Sequence, residues 1–216
     1  NGLCSLCHIA KNELMNFEDF HAETEESWQT INKNLESKID RIIERHPAER
    51  EEIIEHFSLD LHEKQEKFPS IHRRSLVITI YSFLENTLNE LCNTLSESVD
   101  SNVVLTDLKG RGMERALSYL SKVAEFDLSK MGGTLSYIKN INRVRNFIVH
   151  NGGVLPSEPE QKVNIFIAST ENIFGNPGGN IRFESTFISE MIEVFIRFLN
   201  ELDIEVQKHI QASIAL

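Results

Sequence analysis

Residues Ile141–Gly153 read Ile-Asn-Arg-Val-Arg-Asn-Phe-Ile-Val-His-Asn-Gly-Gly: an apolar run carrying two arginines, an asparagine and a histidine, closed by paired glycines. At about 100° per residue of helix, Arg143, Asn146 and His150 fall within one narrow arc, while Ile141, Val144 and Ile148 form a separate apolar arc. Arg145 projects close to the apolar arc, so its guanidinium needs a buried partner or an opening into a cleft. Asn151-Gly152 is a helix stop, and a histidine in the last turn suits the negative end of the dipole. His150 is therefore open to two readings, a C-terminal cap or a chemical group.

Upstream, Phe68-Pro69-Ser70 marks a boundary, with Ser70 placed to cap a helix running to about Val99. Leu76, Val77, Ile80, Tyr81, Phe83, Leu84, Leu88, Leu91 and Leu95 make that helix apolar most of the way round, which predicts a central position. Glu85 shares the face of Ile78, Tyr81, Leu88 and Cys92, a costly place for an unpaired carboxylate. It is expected to meet Arg145 or another cleft arginine, either to orient helices or to take part in chemistry. Arg73 and Arg74, at the start of the same helix, are candidate phosphate ligands. A polar connection over 101–112 leads to a short helix from about Met113 to Ala124. Gly110-Arg111-Gly112 lacks the Gly-Lys-Ser/Thr ending and the preceding strand of a phosphate loop, and reads as a linker. Thr134, after Gly132-Gly133, is expected to cap the motif helix.

The N-terminal third reads as two helices. Phe17, Phe20, Trp28, Ile31, Leu35, Ile39 and Ile42 recur at threes and fours between Lys11 and His46. Pro47 ends that helix and opens a second, whose face carries Ile53, Ile54, Phe57, Leu59 and Leu61. The pair either packs on the bundle or projects as an antiparallel arm. Cys4-Ser5-Leu6-Cys7-His8 has the spacing of covalent haem attachment, but nothing after it looks like a haem domain; as a zinc half-site it lacks a second cysteine pair, and the segment is expected to be a frayed end. Beyond the motif, Pro156, Pro159 and Pro177 break any long helix. Residues 162–167 and 180–183 have strand-like composition around the turn Gly175–Gly179, predicting a small hairpin before a final helix from Thr186 to His209.

The segment Arg145-Asn146-Phe147-Ile148-Val149-His150 resembles the R-N-x-x-x-H signature of the HEPN superfamily (higher eukaryotes and prokaryotes nucleotide-binding). Asn146, the Asn151-Gly152-Gly153 stop and the preceding helix with Phe83-Leu84-Glu85-Asn86 extend the likeness over about residues 69–205. The resemblance implies an all-α bundle that dimerises, bringing two motifs into one cleft that in many members cuts RNA without a metal. Toxins of the superfamily silenced by adenylylation carry a tyrosine two residues after the histidine. That position is Gly152 here, so such control is not expected.

Composition agrees with one main globular body: 216 residues, 40% hydrophobic and 25% charged. No apolar run approaches the ~18 residues of a membrane span. Three cysteines make no even disulfide framework, which suggests a reducing, cytoplasmic setting. The net charge is −11, but it is uneven. Residues 1–68 carry 8 basic and 16 acidic side chains, 69–153 carry 10 and 8, and 154–216 carry 4 and 9. A basic cleft on an acidic body still binds phosphate while limiting non-specific contacts.

Cleavage of RNA by its own 2′-hydroxyl needs a base, an acid for the departing 5′-oxygen, and positive charge for the phosphorane. His150 can serve as base or acid, Arg145 or Arg143 supplies charge, and Asn146 orients the histidine or a phosphate oxygen. One histidine cannot hold both protonation states at once, whereas a two-fold dimer supplies two. The sequence thus predicts an all-α, up-and-down, HEPN-like bundle (69–216) behind a helical arm (1–68), with a β-hairpin before the last helix. The expected activity is that of a metal- and cofactor-independent endoribonuclease of a toxin or antiphage system. Arg145, Asn146, His150 and Glu85 are its candidate catalytic residues, and Arg143, Arg73 and Arg74 its candidate RNA ligands. Its expected partners are RNA, a second copy and an antitoxin or regulatory protein. The alternative is a catalytically silent module that binds RNA, nucleotide or protein.

Overall fold

The computed structural model describes residues 2–97 and 102–214. It is all-α apart from one two-stranded antiparallel sheet. The helices are α1 (Gly2–Arg45), α2 (Arg50–His62), α3 (Phe68–Ser96), α4 (Gly112–Lys122), α5 (Gly132–Asn151), α6 (Lys162–Ala168) and α7 (Ser185–Ile214). Strands β1 (Ile173–Phe174) and β2 (Arg182–Phe183) pair Ile173 with Phe183 and Phe174 with Arg182. No helix among the described residues is long and apolar enough to cross a membrane.

Helix α3 is central, as its apolar circumference requires. Val77, Ile80, Leu84, Leu88, Leu91 and Leu95 are fully buried, and α1, α4, α5 and α7 all pack on it. From α5 it receives Ile138, Ile141 and Val144, and from α7 Phe187, Phe195 and Phe198 complete the same core. The helix ends at Ser96, and the expected terminus near Val99 lies outside the described residues.

Helix α1 contributes to two cores. The N-terminal half of α1 belongs to the main core: Cys7, Ala10 and Leu14 are buried, and α1 packs along α7 and α3. Helix therefore starts at Gly2, well before Lys11, and Cys7 is core rather than part of a frayed end, its thiol pushed up to about 12 by burial and then by nearby Asp203. Only the distal half of α1 forms an arm with α2, through a separate small core of Leu35, Ile39, Ile53 and Phe57. Phe20 and Ile31, expected on the apolar face, are 54% and 39% exposed.

Pro69 also fails to break the chain. Helix runs from Arg50 to Ser96 through a π-helical turn at Glu63–Lys67. A proline ring clashes with the carbonyl four residues back and offers no N–H, and a wider turn just before it removes that conflict. Ser70 consequently caps nothing.

Residues 162–167 are helical, not a strand. Val163, Phe166 and Ile167 bury one face at helical spacing, and the Asn164 amide donates to the carbonyls of Pro156 (2.9 Å) and Glu158 (2.8 Å), tying the proline loop to α6. The hairpin partner of β2 is Ile173–Phe174 instead. Thr134 lies inside α5, its hydroxyl bonded to Glu201 and to the Met131 carbonyl; Met131 is the N-cap residue.

Candidate functional site

Helix α5 presents the motif. Val144 and Ile148 anchor one side in the core, which leaves Arg143, Arg145, Asn146 and Phe147 half-buried and His150 exposed. Gly152 ends the helix with φ of 62°, the left-handed conformation that glycine adopts without strain, and the Gly153 N–H returns to the Phe147 carbonyl at 2.9 Å.

The expected polar arc is only partly assembled. Arg143 Nη1 donates to Asn140 one turn back. Arg145 Nη1 donates to the Asn146 side-chain oxygen at 3.1 Å, while its Nε is buried without an acceptor among the described residues. A guanidinium has five N–H donors, so the terminal nitrogens keep donors beyond the bond to Asn146, whereas the buried Nε is closed to an oxyanion from solvent.

Glu85 does not pair with Arg145: no ion pair joins them among the described residues. Its carboxylate lies against Gly112, where an added Cβ would stand 2.5 Å from Oε2. Both charges act on Tyr81, whose hydroxyl is pushed up by burial and then by Glu85, with Arg145 opposing. Half-burial leaves the Glu85 carboxylate open to water, so it needs no cationic partner. The Gly110-Arg111-Gly112 turn is organised rather than a loose linker, since Arg115 donates twice to the Gly110 carbonyl, at 3.0 and 2.8 Å.

Arg73 and Arg74 are already committed to the protein. Arg73 grips Glu25 with Nε and Nη2, both at 2.7 Å, and donates Nη1 to the Phe183 carbonyl at 2.8 Å. Arg74 donates to the carbonyls of Gly152 (3.2 Å) and Ile181 (2.7 Å). The two arginines tie α3 to α1, to the hairpin and to the end of α5. Arg74 holds the end of the motif helix, and Arg73, paired with Glu25, holds α3 to α1 and the hairpin.

A second polar cluster escaped the sequence reading. His21 is 3% exposed, with Nδ1 3.2 Å from His72 Nε2 and Nε2 2.8 Å from the Ser185 carbonyl; the two rings stack at 5.5 Å. Glu25 follows one turn after His21, and ligand atoms of His21, Glu25 and His72 lie within 4.8 Å of one another. Burial is the largest influence on Glu25 and raises its pKa, but the Arg73 hydrogen bonds together with the charges of Arg73, His21 and His72 outweigh it and hold the carboxyl below its usual range. His72 is pulled below its usual value by burial, then by His21 and, against Glu25, by Arg73. The sequence does carry a signal: Leu14, Phe17, His21, Glu25, Trp28 and Leu35 follow the helical period, so His21 and Glu25 interrupt an apolar stripe. Their partners on α3 are about fifty residues away, beyond the reach of local pattern.

No protein-family model, no curated protein and no solved structure matches this chain.

Proposed function

We propose that the chain is a metal-independent endoribonuclease of the HEPN type, acting as a two-fold dimer whose motif helices line one groove. The observation that carries this reading is the state of α5: His150 exposed in the last turn, with half-buried Arg145 and Asn146 about one turn before it. One His150 takes the 2′-hydroxyl proton, its counterpart on the second copy gives a proton to the 5′-oxygen, and Arg145 stabilises the phosphorane. The products are a 2′,3′-cyclic phosphate and a 5′-hydroxyl. A toxin or antiphage setting, with an antitoxin or other restraining protein, fits such an activity.

The second reading, a silent HEPN module that binds RNA, nucleotide or protein, is favoured by the commitment of Arg73 and Arg74, which leaves a thinner basic surface. Purified protein incubated in EDTA with single-stranded RNA and the matching DNA separates the two. The nuclease reading expects RNA cut and DNA intact, because DNA lacks the attacking hydroxyl. Binding of RNA without cutting favours the silent module. Light scattering that gives only a ~25 kDa species at micromolar concentration, the mass of one chain, contradicts the composite site.

A further inference from the structure

We propose that His21, Glu25 and His72 form a binding site for one divalent first-row transition ion, zinc in the first instance, that fastens α1 to α3. The site is separate from the α5 motif, and the inference is independent of the nuclease reading.

The two histidine nitrogens already stand at the separation of a filled site, and the Glu25 carboxylate has to move inward to join them. Zinc–imidazole bonds of 2.0–2.1 Å place two tetrahedral nitrogen ligands about 3.3 Å apart. His21 Nδ1 and His72 Nε2 are 3.2 Å apart. Glu25 Oε1 is 4.0 Å from His21 Nδ1, on the same side of α1 by i, i+4 spacing. Two imidazoles and one carboxylate leave a fourth position for water, a donor set that suits zinc and its neighbours.

His21 is oriented as a ligand. The Ser185 carbonyl can only accept, so His21 Nε2 carries the proton and Nδ1 directs its lone pair toward His72. Fixing one ring nitrogen by a backbone carbonyl is the usual outer support of a metal-bound histidine. In the metal-free state His72 Nε2–H donates to that lone pair. On metal binding His72 changes tautomer, exchanging its Nε2 proton for one at Nδ1 through water, so neither imidazole changes charge.

Glu25 is engaged twice by Arg73, but a carboxylate offers about four lone-pair sites. It can bridge the guanidinium and the metal, and its negative charge offsets the repulsion between them. Phe20 stacks edge-on against His72 at 5.6 Å and shields the site from one side.

The test uses the full chain, stripped with EDTA, returned to chelator-free buffer and titrated with zinc chloride by calorimetry and with cobalt(II) chloride by visible absorption. One equivalent of zinc is expected to bind at micromolar or tighter affinity and to raise the melting temperature by about 5 °C or more. Cobalt should give the d–d bands of a four- or five-coordinate nitrogen and oxygen site. His72 is half-exposed, so His72→Gln should keep wild-type helicity while weakening zinc binding about 100-fold or more. Imidazole nitrogen NMR shifts of His21 and His72 on zinc addition supply a readout that needs no variant. Absence of saturable binding at micromolar zinc, or binding unchanged in His72→Gln, overturns the proposal; the latter would move the ion to exposed histidines such as His8 or His150.

Discussion

Arg74 of α3 donates to the carbonyl of Gly152 at 3.2 Å, so the central helix of the bundle holds the end of the motif helix. The same guanidinium reaches the Ile181 carbonyl at 2.7 Å, locking the strand segment that closes over that end. His150 lies two residues before this clasp. Arg74→Ala should cost about 1–2 kcal/mol in denaturant unfolding, since a charge-assisted bond to the part-buried Ile181 carbonyl and an exposed one to Gly152 are lost. It should also speed amide exchange at residues 151–154. Unchanged exchange there would show that Gly152 and Gly153 terminate the helix unaided.

The position of Glu85 leads to an opposite expectation. Without an ion pair to Arg145, Glu85→Gln should change stability by no more than about 0.5 kcal/mol, as for most substitutions away from a buried network. A drop several times larger would restore the buried pairing that the sequence suggested.

Gly112 is the tighter constraint at the same place. It has φ of 53°, and a side chain there would meet Glu85 Oε2 at 2.5 Å. The carboxylate is the end of a flexible side chain and can swing away, so the strain lies mostly in the backbone. Gly112→Ala is expected to cost about 1–2 kcal/mol, measured by urea unfolding. A neutral result would mean that the turn before α4 relaxes freely.

Acid should weaken the junction of α1 and α3 in two stages, measured in chelator. The pKa of His72 lies below its ordinary 6.5, so just below that pH the unfolded chain binds more protons and stability drops as the pH is lowered. Glu25 lies below its ordinary 4.5, so its contribution is intact above that value and is lost as pH falls through its lower folded pKa. Both slopes have the same sign. Melting temperature should decline from about pH 6.5 downward, and His72→Gln should remove the upper stage. A profile that is flat down to pH 5 in the unmodified chain would contradict this.

How far the sequence carried depends on whether a feature is local. The apolar girdle of α3 and the Asn151-Gly152-Gly153 stop each involve neighbouring residues, and both correspond to what the fold contains. Residues 162–167 misled because β-branched and aromatic side chains suit a strand in isolation. Asn164, anchoring the loop from inside α6, and burial of Val163 and Phe166 decide for helix. Pro69 misled because a π turn upstream is invisible to propensity. At the candidate site the motif residues do share one helix, as their spacing required. The fates of Arg73, Arg74 and Glu85 were set by Glu25, Gly152, Ile181 and Gly112, contacts that only tertiary structure creates.

The role of His150 is tested most directly by end-group analysis of RNA incubated in EDTA with wild-type protein and with His150→Ala. His150 is exposed at a helix end, so its removal should leave helicity and melting temperature near wild type. The account predicts that wild type releases fragments bearing 2′,3′-cyclic phosphate and 5′-hydroxyl ends, and that the variant releases none. Equal RNA turnover by a well-folded His150→Ala protein would contradict it.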